Sequence, residues 1–180
     1  MRTRKMVAML AFVVAIAVST PVAMSYMDYR QTRVANGHAD AFVQHLQTAV
    51  QEKRTFRMTE VADFAWDRMY MFQPYTPRDV MEQTVGSTWN TSDSYLGYLI
   101  DQTSVGDHPL IYDHLHKLVF VKDDQVVLDL TLDRITADFT ESREMVERGD
   151  AWFAVERKDE LDGYGQPIEK KRIMIRNASE

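Results

Sequence analysis

The sequence predicts an α+β fold: an antiparallel sheet of about five strands built from hairpins, one long N-terminal helix and one short capped helix. Three observations carry this expectation. Apolar residues between positions 28 and 54 recur at helical spacing. Two pairs of β-type runs flank turn-forming segments. Long helices do not alternate with strands, as a doubly wound parallel sheet would require. A composition of 45% hydrophobic and 27% charged residues is that of a folded globular chain. The roughly 150 residues beyond the N-terminal segment suffice for a core without disulfide staples.

The chain opens with Arg2, Arg4 and Lys5 and then carries no charge from Met6 to Met24. Those 19 residues approach the length of a bilayer-spanning helix. A basic flank stays on the cytoplasmic side, so the rest of the chain is expected to face outward. The same stretch also reads as a signal peptide: Met6 to Val18 is apolar, Pro21 is a breaker, and Ala23 and Ser25 are small residues at peptidase spacing. Residues 1–25 are therefore expected to be a signal anchor or signal peptide, and residues 26–180 one extracytoplasmic domain. The domain is either held in the cell membrane by a single pass or secreted after cleavage.

Within residues 28–54, Val34, Ala35, Ala39, Phe42, Val43, Leu46 and Val50 mark one helical face, with Gly37 as a weak point near the start. Trp66 to Phe72 is aromatic-rich and reads as a strand with Trp66, Tyr70 and Phe72 on one face. Gln73-Pro74-Tyr75 breaks that strand. Thr76 is a potential cap, Pro77 suits the first helical position, Asp79 the first turn and Gly86 the end of a helix buried through Val80, Met81 and Val85. Residues 87–109 read as irregular, with a short helix near Ser94 to Ile100. Leu115–Val121 and Val126–Leu132 form a hairpin across Lys122 to Gln125. Alternation from Leu128 to Leu132 predicts that one face of that hairpin is wet. Thr140 to Arg148 reads as a short helix or turn. A second hairpin pairs Ala151–Arg157 with Glu169–Ile175, with Lys170, Lys171 and Arg172 on a solvated edge strand.

Net charge is −6, and setting aside Arg2, Arg4 and Lys5 leaves 18 basic residues against 27 acidic ones, a charge of −9. That balance argues against nucleic acid and anionic lipid headgroups as partners. Cysteine is absent, which removes disulfides, thiolate ligands, a thiol nucleophile and a lipidated cysteine. No Gly-x-Ser-x-Gly elbow, phosphate-cradling glycine loop or His-Glu-x-x-His motif occurs. Asn90-Thr91-Ser92 and Asn177-Ala178-Ser179 match the glycosylation sequon, which is meaningful only in a eukaryotic secretory pathway.

Two constellations suggest chemistry. Asp107-His108 is followed by Asp113-His114-Leu115-His116, and on a strand His114 and His116 share a face. With Asp107 or Asp113 as a third ligand they would hold zinc or a similar divalent metal with a position open for water, the basis of a metal-assisted hydrolase. The bland reading is polar residues on a wet strand face, with no cofactor, and it is preferred because no distant third ligand is identifiable. Glu60, Asp63 and Asp67 lie near Trp66 and Tyr70, and a carboxylate against aromatics can act as a general acid. Its necessary second carboxylate cannot be chosen among 27 acids. The methionines Met69, Met71 and Met81 read as core filler.

The block Phe64-Ala65-Trp66-Asp67-Arg68-Met69-Tyr70-Met71-Phe72-Gln73-Pro74-Tyr75-Thr76, with the capped helix and Gly86 after it, resembles a family of small bacterial, mainly Gram-positive, membrane-anchored or secreted proteins. The likeness continues through Leu118-Val119-Phe120-Val121, Val126-Val127 and Asp138-Phe139, so it spans about Asp63 to Phe139. It implies a bacterial origin and an outward-facing domain, and it transfers no catalytic residue. Trp66 and Tyr75 are either core aromatics or anchors for a partner, the former being favoured because buried aromatics dominate cores. The function expected is a tethered extracytoplasmic domain, not an enzyme, that binds or supports another envelope component. A purely structural stalk is the third possibility.

Overall fold

The computed structural model describes residues 17, 19–103, 110–161 and 165–176. The chain divides into two compact units, one of Met1–Arg33 with Ser92–Gly106 and the other of Val34–Thr91 with Asp107–Glu180.

The larger unit is the α+β body. It holds helices α2 (Ala39–Glu52), α3 (Met58–Val61) and α4 (Arg78–Val85). Its strands are β1 (Thr55–Arg57), β2 (Arg68–Phe72), β3 (Leu115–Lys122), β4 (Gln125–Asp133), β5 (Met145–Glu147), β6 (Trp152–Leu161) and β7 (Pro167–Ile175). The strands form two antiparallel sheets in place of the single sheet expected, one ordered β4-β3-β2-β5 and the other β1-β6-β7. The smaller unit contains the helical residues 19–32 (α1) and helix α5 (Tyr95–Asp101). No helix among the described residues is long and apolar enough to cross a membrane, and most of Met6 to Met24 lies outside them.

The long helix expected over residues 28–54 is interrupted. Asn36 adopts a left-handed φ of 48°, and its side-chain oxygen accepts the backbone N–H of Asp129 at 2.9 Å. Asparagine tolerates this conformation where most residues resist it. The remaining helical face is as the periodicity indicates, with Phe42, Leu46, Ala49 and Val50 buried along α2.

Both hairpins form. Asp123 and Asp124 join β3 to β4 with φ of 48° and 60°, the two-residue turn whose twist matches the strands it connects. Helix α4 ends at Gly86 with φ 79°, as its position predicts, but Pro77 is the N-cap and Thr76 instead donates its hydroxyl to Gln73 O. Ser94 caps α5 by accepting Gly97 N–H at 3.1 Å. Met145–Glu147 is a strand where a helix or turn was expected, because its backbone completes β2 at Arg68 to Tyr70.

The four-stranded sheet is covered on both faces. Met69, Met71, Leu118, Phe120 and Leu128 pack with α2 and with Phe56, Phe153 and Ile173 of the second sheet. Tyr70, Phe72, Val119 and Val121 pack under Met81 and Val85 of α4, Trp89 and Leu110. Trp66 precedes β2 and lies in the first cluster, so it does not share a face with Tyr70 and Phe72. The expected wet face is largely covered, with Thr131 half-buried and Asp129 buried. Asp129 is buried there and receives Lys117 Nζ at 2.6 Å and Trp89 Nε1 at 2.6 Å.

The outer side of β7 is partly occupied. Asp138 bridges Arg172 in a parallel register, donating its N–H to Lys171 O at 2.8 Å and accepting Ile173 N–H at 2.7 Å. The basic run expected to be solvated is thus partly paired: Lys170 and Arg172 reach Glu160, and Arg172 also reaches Glu141.

Candidate anion-binding cleft

Sheet register builds the most distinctive surface of the α+β body. Arg57 of β1 lies opposite Trp152 of β6. On the other side of Trp152, Arg176 follows β7 and donates its N–H to Trp152 O at 2.8 Å. The three residues form one cross-strand row, with the Arg57 guanidinium 4.9 Å and the Arg176 guanidinium 5.3 Å from the indole ring centroid. Neighbouring residues alternate to the opposite face, where the Phe56 and Phe153 rings stack at 5.7 Å inside the core. The core thus positions the row from behind.

Beside the row lies a cleft of about 410 Å³ lined by Arg57, Thr59, Arg148, Gly149, Ala151 and Trp152. Its floor is fixed by Met58 N–H donating to Ala151 O at 2.9 Å. Arg148 is held by donation to Trp66 O at 3.2 Å, with its guanidinium 5.6 Å from the Trp66 ring. Among the described residues no carboxylate lies within ion-pair distance of Arg57 or Arg148. Guanidinium forks match planar carboxylates and phosphates, and a cationic pocket on an acidic molecule focuses its field on anions. Sequence reasoning missed this site. Arg57, Arg148, Trp152 and Arg176 are scattered over 120 positions, and only sheet pairing brings them together.

The sequence-derived candidates are placed as follows. His116 is 1% exposed on β3, beside Phe139, and among the described residues neither ring nitrogen has a hydrogen-bond partner. Burial pushes its pKa down to about 4, against an upward pull from Asp138. His114 is exposed, with Nδ1 3.8 Å from Asp113. Among the described residues no group of three His, Asp or Glu could hold a metal ion, and Asp107 and His108 lie outside them.

Asp138 is a buried carboxylate. Burial pushes it up, but Arg134 at 2.9 Å, the Thr140 hydroxyl at 2.6 Å and the Thr140 N–H at 3.0 Å outweigh that and hold it below the usual range. These bonds tie its loop to the body.

None of the three acids near Trp66 has the environment of a general acid. Asp67 accepts Asp123 N–H at 3.0 Å and Lys122 Nζ at 2.9 Å, and those bonds lower its pKa where a general acid needs it raised. Glu60 pairs with Lys53 at 2.7 Å, and Asp63 lies 3.9 Å from His38. Trp66 has no exposed surface, whereas Tyr75 is 63% exposed. Asn90 of the first sequon is buried, and Asn177 of the second lies outside the described residues.

No family model, curated protein or solved structure matches this chain.

Proposed function

We propose that the chain is an outward-facing binding domain, tethered to the cell envelope by its uncharged N-terminal segment, and that the Arg57–Arg148–Trp152 cleft takes an anionic group of another envelope component. One observation carries the reading: two guanidinium groups that have no carboxylate partner among the described residues line a cleft beside an indole, on a chain whose net charge is −6. An aromatic wall with cationic forks binds an anion attached to an apolar or planar body. Rigid sheet positions suit recognition, because side chains held by the core are not reordered when ligand arrives. The resemblance to small membrane-anchored or secreted bacterial proteins supports the address.

The test is a titration of the protein with inorganic phosphate and with an acidic peptide, read by tryptophan fluorescence. Trp66 and Trp89 are buried and Trp152 is half-exposed, so a quenching change reports on the cleft. Saturable quenching by either anion, lost in an Arg57→Gln, Arg148→Gln double variant, supports the reading. A flat titration with both would remove it.

A further inference from the structure

The smaller unit carries a surface that the cleft does not use. Its two helices meet through four tyrosines placed three apart on each: Tyr26 and Tyr29 on α1, Tyr95 and Tyr98 on α5. The Tyr26 and Tyr95 rings meet edge-to-face at 5.4 Å, Tyr29 lies 5.8 Å from Tyr95 and 5.6 Å from Tyr98, and Tyr95 stacks on Tyr98 at 6.2 Å. Helix α5 buries none of its residues, and Leu96, Leu99 and Ile100 are 68%, 40% and 50% exposed. From Ser94 to Ile100 the chain has no charge, and Asp101 at the end accepts a hydrogen bond from the Ser92 hydroxyl. Val22 and Met27 of α1 are exposed as well.

The position of α5 along α1 decides what covers this surface. The Tyr95 hydroxyl lies 3.5 Å from Val22 O, so the start of α5 is level with the end of the 19-residue apolar segment Met6 to Met24, four residues before the first charge at Asp28. If that stretch spans the bilayer, Val22 sits about 3 Å inside its outer boundary and Tyr29 about 7 Å beyond it, at the rise of an α-helix. Tyrosines concentrate near that boundary, where the ring is in the apolar layer and the hydroxyl reaches water; Tyr26 is 45% exposed there, whereas Tyr29 is buried in the cluster. A short helix whose one charge, Asp101, is its last residue, with three exposed aliphatic side chains at the same level, places apolar surface at the depth where interfacial helices bury it.

We propose that α5 is a membrane-interface foot: Leu96, Leu99 and Ile100 enter the outer acyl boundary of an electrically neutral lipid surface beside the anchor, while the tyrosine cluster locks α5 to α1. This rests on the tethered reading of the N-terminal segment. The absence of lysine and arginine from α5 makes the contact apolar, not one that seeks anionic headgroups.

Because the chain lacks cysteine, single-cysteine variants report on single positions. The full chain is reconstituted in phosphatidylcholine vesicles, with Leu96→Cys or Leu99→Cys carrying an environment-sensitive fluorophore. Leu161→Cys, an exposed leucine of the α+β body, serves as the aqueous control. Expected are quenching by spin-labelled lipid and loss of iodide access at 96 and 99, with the reverse at 161. Iodide access at 96 and 99 equal to that at 161, in protein that resists alkaline extraction from the vesicles, overturns the foot and leaves the tether standing. Release by alkali overturns the tether instead, and lipid quenching at 96 measured before that extraction would then support the foot as an attachment of its own.

Discussion

Lys117 Nζ lies 2.6 Å from Asp129 Oδ1, and neither side chain exposes more than 7% of its surface. The second carboxylate oxygen takes the Trp89 indole N–H, and the Asp129 backbone N–H is taken by Asn36. The pair is the polar centre of an otherwise apolar layer between the four-stranded sheet and α4.

Removing one partner strands the other charge. Lys117→Met is expected to destabilise the fold by about 3–5 kcal/mol, and the Lys117→Met, Asp129→Leu double variant to cost much less than Lys117→Met alone. Urea unfolding of the wild type, Lys117→Met, Asp129→Leu and the double variant, followed by tryptophan fluorescence, gives the coupling directly. A single variant as stable as the wild type would show that water reaches the pair.

His116 sets an acid limit on stability. Its folded pKa of about 4 lies below the unfolded value of 6.5, so the native state binds fewer protons than the unfolded chain between the two. Its contribution is complete above pH 6.5 and is lost as the pH falls towards 4, a change of roughly 3 kcal/mol. Asp138, with a lowered pKa, adds its own loss only below its unfolded value of 3.8. His116→Phe should flatten the stability profile between pH 6.5 and 4, and should not lower stability at pH 7, since it removes two buried ring nitrogens that have no partner among the described residues. Melting curves across that range check both statements.

In the cleft, fork geometry should matter as well as charge. Arg57→Gln is expected to weaken anion binding about tenfold, and Arg57→Lys to recover only part of it, because ammonium cannot reproduce the two parallel bonds of guanidinium. Melting temperature should be nearly unchanged in both, since Arg57 is exposed. Titration calorimetry with phosphate and acidic peptide separates the two effects.

Gly86 ends α4 at φ 79°, and a Cβ built there meets nothing within 4 Å. Gly86→Ala should therefore cost about 1 kcal/mol through backbone strain alone. Chemical denaturation measures it. A loss several times larger would mean that the segment leading to Trp89 also shifts.

What could be read from the sequence was local. The Asp123-Asp124 turn, the Gly86 stop and the short helix near Ser94 to Ile100 each depend on neighbours within a few positions, and each forms. Two features that depend on distant pairing were not visible. The 128–132 alternation predicts a wet face, but α4 and Trp89 cover that face, and the polar residue at 129 answers Lys117 instead of solvent. The division into two sheets follows from β1 pairing with β6 and β2 with β5, contacts nearly 100 and 80 residues apart. The cleft inherits that distance, since Arg57 meets Trp152 only through the first of these pairings.

The position of β2 between β3 and β5 has a consequence for synthesis. Both neighbours follow it in the chain, so Arg68–Phe72, an aromatic and methionine-rich segment, emerges with its backbone unpaired on both sides. It acquires one partner when β3 has emerged and the other only after residue 147. A nascent chain held short of that point would present an open, apolar strand edge to every other such chain, and aggregation during slow translation is where this fold is most exposed.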